Sequence, residues 1–241
     1  MGAFDIELLL RGLYPSGLYP SGEQAGQPAG SVPHPASAAR PARRAVPRHP
    51  AVWRLGERPM VPARIVPCGI PELEQQLPGK GWPPGCITEV ISQGTGIGEV
   101  SLLLPALAGL SRQAETVVWV APPCIPYPPA LRQAGVELGQ MLWIDARNEA
   151  DALWAAEQSL RSGTCGAVLV WLTVADHTAL RRLQLAAEAG GALCFVLRDR
   201  SRAAATSPAA VRVAVESDGR RRQLRLLKCR GSQGAHVSLA A

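Results

Sequence analysis

Lysine is nearly missing from this 241-residue chain: the two present are Lys80 and Lys228. That scarcity matters because phosphate-handling loops depend on a lysine that reaches the β and γ oxygens. The six cysteines (Cys68, Cys86, Cys124, Cys165, Cys194, Cys229) form no C-x-x-C pair and have no His pair nearby, which argues against a zinc site and against a disulfide scaffold. No apolar run approaches membrane-spanning length, and the first residues lack both a basic stretch and a small-residue cleavage site. The expectation is a protein of a reducing compartment, cytoplasmic and without membrane attachment.

Hydrophobic residues make up 47% of the chain, enough for one substantial core. The charge is uneven. Residues 198–230 hold ten Arg/Lys against three Asp/Glu, whereas residues 51–197 hold ten against thirteen. A basic C-terminal end suits nucleic-acid phosphates, an acidic partner surface, or a solvated sheet edge.

Residues 1–48 are rich in Pro, Gly, Ala and Ser without a helical or strand period, and a five-residue tandem, Gly12 to Gly22, is too short for a repeat architecture. They read as a flexible arm, followed by one domain over 49–230 and a tail over 231–241. Within the domain, a short strand is expected at Ala51–Gly56, a helix at Ile70–Leu77, and a central strand at Cys86–Ile91. Apolar runs predict further strands at Thr116–Ala121, Met141–Ile144, Ala167–Leu172 and Leu193–Leu197. Helices are predicted from Gly98 to Gly109, from Pro129 to Ala134, from Asn148 to Arg161 with Leu153, Trp154 and Leu160 on one face, and from Asp176 to Gly190. Val211–Glu216 and Gln223–Lys228 flank Ser217-Asp218-Gly219 as a closing hairpin. Strand and helix alternate, so the fold class is α/β with a mostly parallel sheet flanked by helices and a C-terminal antiparallel hairpin.

The most informative stretch follows the central strand. Gln93-Gly94-Thr95-Gly96-Ile97-Gly98-Glu99-Val100 has the frame of a phosphate loop, in which backbone N–H groups and a helix N-terminus cradle phosphates. With Gly98 as the last glycine of G-x-x-x-x-G-K-[ST], the first glycine position is Gln93, the lysine position is Glu99 and the hydroxyl position is Val100. A carboxylate repels a triphosphate, and valine ligates no metal. The loop reads as a packing turn that binds no nucleotide and needs no cofactor or metal. No catalytic residue is expected; His177 and His236 have no evident partners in the sequence.

Arg54-Leu55-Gly56, the stretch Gly81-Trp82-Pro83-Pro84-Gly85-Cys86-Ile87-Thr88-Glu89-Val90, Ala134-Gly135-Val136-Glu137, and Glu157 to Gly163 before a strand together resemble the RecA core over about 51–230. His49-Pro50-Ala51-Val52-Trp53-Arg54, Leu77 to Pro83, Leu153-Trp154-Ala155-Ala156-Glu157-Gln158 and Leu183 to Gly190 resemble, more specifically, the ImuA family, described as SulA/RecA-like. That resemblance implies an accessory factor in SOS-induced translesion DNA synthesis, acting with the Y-family-like protein ImuB and with an error-prone DNA polymerase.

Set beside RecA, three further positions depart in the same direction. Val117–Ala121 leads into Pro122-Pro123 where an acidic residue activates water. Trp171 stands at the lost Walker B aspartate position, and Arg198 where a nucleotide-sensing glutamine is expected. Val52, Trp53, Arg54 and Leu55 occupy the place of the strand that RecA adds to its neighbour, so they are candidates for docking on RecA, Trp53 acting as the anchor or else packing on its own core. Arg220, Arg221, Arg222, Arg225, Lys228 and Arg230 are candidates for weak DNA or acidic-partner contact. Two other function classes stay open: a SulA-like cell-division inhibitor that binds the tubulin-like division protein, and an ATPase with an unorthodox loop.

Overall fold

Short apolar runs bounded by glycine, proline or small polar residues become the strands of one sheet. The computed structural model describes residues 64–77, 79–217, 222–229 and 236–239. The expected arm, the Ala51–Gly56 strand with its docking candidates Val52, Trp53, Arg54 and Leu55, and the basic residues Arg220, Arg221 and Arg230 lie outside them.

In chain order the elements are α1 (Pro71–Glu74), β1 (Ile87–Ser92), α2 (Leu104–Arg112), β2 (Thr116–Val120), α3 (Pro128–Gln133), β3 (Met141–Ile144), α4 (Glu149–Arg161), β4 (Cys165–Trp171), α5 (His177–Gly190), β5 (Leu193–Asp199), β6 (Val211–Ser217), β7 (Arg222–Cys229) and β8 (His236–Leu239). The strands form one eight-stranded sheet in the order β3-β2-β4-β5-β1-β6-β7-β8. Strand β1 lies between β5 and β6, parallel to both, and β2 lies between β3 and β4, again parallel. β7 and β8 run antiparallel to their neighbours. This is the expected α/β class, a mostly parallel sheet flanked by helices with antiparallel strands at its C-terminal end. The segment expected as a tail contributes β8.

The central strands are apolar on both faces because helices cover both. On one face Leu103, Leu107 and Leu110 pack with Trp82 and Phe195, whose rings meet edge to face at 5.5 Å. On the other, Leu160 of α4 and Leu180 and Leu183 of α5 cover Val118, Val168, Val170 and Val196. Each fully buried side chain of this size is worth about 1.5–3 kcal/mol.

Caps set the helix starts as expected. Asn148 Oδ1 accepts the Asp151 N–H at 2.9 Å, and Asp176 Oδ1 accepts the Ala179 N–H at 2.8 Å. Gly191, at φ 71°, closes α5 in the left-handed conformation.

Two local expectations need correction. The helix after the glycine-rich loop begins at Leu104, not at Gly98. Pro105 has no N–H to extend a helical ladder backward, so it sits in the first turn, while Leu103 and Leu104 both donate to Val100 O in a preceding turn. In α4 the buried stripe is Ala152, Ala155, Ala156 and Leu160; Trp154 is 42% exposed. Small residues let α4 lie close to the sheet and to α5, and the indole is too large for that seam.

Candidate functional site

The connections run from β1 toward β3 at one edge and then back through β4 and β5, and the segments at the carboxyl ends of β1, β2 and β4 line one crevice, the side on which open α/β sheets hold ligands. The glycine-rich loop forms one wall. Gln93 is exposed, Gly94 is half-buried and Gly96 is exposed. Gly96 and Gly98 have φ of 85° and 106°, a region that favours glycine. At Gly98 a Cβ would also lie 2.7 Å from Arg222 Cδ, a contact the flexible arginine can relieve by moving, so it is the backbone conformation that favours glycine here.

Glu99 decides what this loop can do. Its side chain turns back so that Oε1 accepts the Gly96 N–H at 2.8 Å. The residue is 3% exposed, and Oε2 is buried without a hydrogen-bond partner among the described residues. An N–H that a phosphate loop offers to its ligand is here taken by an internal carboxylate. Val100, at the hydroxyl position, packs against the hydrophobic core. A magnesium nucleotide does not fit these residues: the lysine is replaced by an anion, the metal ligand by an alkyl group, and one loop amide is already occupied.

The opposite wall comes from β2 and β4. Trp171 stacks on Trp119 with ring centroids 5.6 Å apart, and Trp119 is 2% exposed. Trp171, expected from the RecA resemblance to occupy a lost Walker B position, closes β4 on this wall. After β2, Ala121 adopts φ 51° while its N–H donates to Ile144 O at 2.9 Å, turning the chain into the proline-rich segment that leads to α3. The space between the walls is a cavity of about 700 Å³, lined mainly by apolar side chains, with Ile125 and Tyr127 at its rim.

A second feature escaped sequence reasoning. Glu89, in the middle of β1, is fully buried and ion-paired with Arg198 at 3.0 Å and with Arg212. Arg198 also donates to Ala175 O, and Arg212 donates to Ala203 O at 3.1 Å and Arg202 O at 3.0 Å. Arg198, read as standing at a nucleotide-sensing position, thus serves as one arm of a buried Arg–Glu–Arg triad tying β1 to the β5–β6 connection. A glutamate inside an otherwise apolar strand was the available signal, since such a charge requires buried partners.

The described basic candidates do not form one stripe. Arg222 lies against the phosphate-type loop at Gly98, Arg225 pairs with Glu216 at 3.2 Å, and Lys228 Nζ donates to Ser207 O at 2.8 Å. His177 opens α5 on the exposed surface. No group of His, Cys, Asp and Glu among the described residues is placed to hold a metal ion, and no helix among them is long and apolar enough to cross a membrane.

Fold and crevice together define an α/β domain whose glycine-rich loop is filled from within by its own glutamate. Comparison with known proteins gives the family. The model for "Cell division inhibitor SulA" matches residues 85–194. Protein ImuA of Caulobacter vibrioides is 32% identical over 144 residues, 58% of this chain and 59% of that protein. Cell division inhibitor SulA of Serratia proteamaculans is 33% identical over 117 residues, 47% of this chain and 68% of the relative. The crystal structure of SulA from Pseudomonas aeruginosa aligns with TM-score 0.41 at 30% identity, covering 46% of this chain and 97% of that one. The chain belongs to the ImuA/SulA-like family, related to the SOS response, and it spans 59% of the length of the ImuA relative.

Proposed function

We propose that this chain is a non-catalytic accessory protein of SOS-induced error-prone translesion DNA synthesis, acting by binding RecA, ImuB and the mutagenic polymerase. The observation that carries the non-catalytic part is Glu99: its carboxylate sits in the loop and accepts the Gly96 N–H. Phosphoryl transfer relies on positioning and on charge neutralisation by lysine and metal. With Glu99, Val100 and Trp171 at the three key positions, the crevice has neither the lysine nor a metal ligand there, and its one cation among the described lining residues, Arg222, comes from a different strand. The ImuA relative and the Trp-containing signatures favour the translesion role over the other members of the class. Val52, Trp53, Arg54 and Leu55 are the proposed RecA contact.

Affinity isolation of the full chain from DNA-damaged cells tests this reading. Recovery of RecA, ImuB or the error-prone polymerase supports it, as does loss of RecA from a Trp53→Ala pull-down with folding intact. Recovery of none of the three contradicts it.

The SulA match over residues 85–194 favours a second reading, inhibition of cell division by binding the tubulin-like division protein. Filamentation on overexpression, without RecA or ImuB in the isolate, selects it.

A further inference from the structure

Resting on the reading of this chain as a binding protein, we propose that the crevice between the loop and Trp171 receives a short apolar peptide segment of a partner protein, one that carries an acidic residue. The rim holds two of the most exposed large apolar side chains among the described residues, Ile125 at 77% and Tyr127 at 70%. They stand beside an open cavity of about 700 Å³, with room for side chains of a bound segment. Apolar groups exposed around a concavity mark a contact surface.

Charge selects the partner. Among the described lining residues Glu99 is the one anion and Arg222 the one cation. Glu99 is buried, with Oε1 engaged by Gly96 N–H. Arg222 is half-exposed at the mouth, so the charge an incoming chain meets is positive. A carboxylate on Arg222 with apolar side chains in the cavity satisfies both features.

A nucleic-acid strand fits less well. The Gly96 N–H that a phosphate would seek is taken by Glu99, and Trp119 is buried in its stack on Trp171, so Tyr127 alone among the described lining aromatics offers a largely open face, too little for a run of stacked bases.

The test is a panel of labelled twelve-residue peptides rich in Leu and Phe, each in an Asp-containing and a Lys-containing form, titrated by fluorescence anisotropy against the full chain. The expected result is tighter binding of the Asp forms, by about tenfold or more. Arg222→Glu inverts that preference, and Tyr127→Ala weakens the Asp forms. Both side chains are at least partly exposed, so circular dichroism of the variants should match the parent. Equal binding of the two forms, preference for the Lys forms, no binding of either, or an Asp preference unmoved by Arg222→Glu overturns the proposal. A parallel Mg-ATP titration keeps the two ideas apart: nucleotide uptake contradicts the non-catalytic reading, while the peptide preference reports on the crevice alone.

Discussion

The Glu99 carboxylate accepts the Gly96 N–H at 2.8 Å, three residues back along its own loop. One bond to a charged acceptor contributes about 1.5–3 kcal/mol, while its second oxygen, buried without a partner, costs about 1–3 kcal/mol. The two nearly cancel. Glu99→Gln keeps an acceptor for Gly96 and removes the buried charge, so its stability in urea should stay within about 1 kcal/mol of the parent or rise. Glu99→Ala leaves the loop amide uncapped and should be the less stable of the two. Equal, large losses for both would mean that the charge itself holds the loop.

Glu89 is flanked by two guanidinium groups in the middle of the sheet. Removing one member of such a buried group leaves an uncompensated charge, so Glu89→Ala should cost about 3–5 kcal/mol in chemical denaturation. Replacing all three by Met or Leu should cost less than Glu89→Ala alone. A triple variant worse than the single would show that the triad adds net stability.

Two glycines predict opposite outcomes. A Cβ on Gly190 would sit 1.8 Å from Leu160 O, at the crossing of α4 and α5, whereas one on Gly109 in α2 meets nothing within 4 Å. Thermal unfolding should show Gly190→Ala strongly destabilised. Gly109→Ala should gain about 0.5–1 kcal/mol from helix propensity.

Burial pushes the thiols of Cys68 and Cys229 up to about 11 and that of Cys194 up to about 12, from an ordinary 9.0. The unfolded chain releases these protons first, so the folded state loses stability as pH rises from about 9 toward 12. Below pH 9 this contribution is fully present. A urea midpoint that falls between pH 9 and 11, and native alkylation at pH 8 confined mainly to exposed Cys124, check the assignment.

The sheet was legible because strands buried on both faces read as continuous apolar runs: Ala167–Leu172 and Leu193–Leu197 differ by only a few residues from β4 and β5. The caps at Asn148 and Asp176 were legible for the same local reason. The start of helix α2 was not, since the turn ahead of Pro105 depends on how Glu99 and Val100 fold back. Nor was the role of Arg198, whose partner Glu89 is 109 positions away. The replacements at Glu99, Val100 and Trp171 could be read from the motif frame; the Trp119–Trp171 stack and the position of Arg222 over Gly98 are long-range and needed the sheet order. Residue spacing along β7 suggested one basic face, but Arg222 and Arg225 are separated by the strand's alternation.

Titration of the purified chain with Mg-ATP, followed by Trp fluorescence and calorimetry, tests most directly whether the crevice has lost nucleotide handling. Trp119 and Trp171 line the cavity and report on its occupancy. The account predicts no saturable change at millimolar nucleotide and no phosphate release. Saturable uptake with turnover, abolished by altering Gly98, would contradict it.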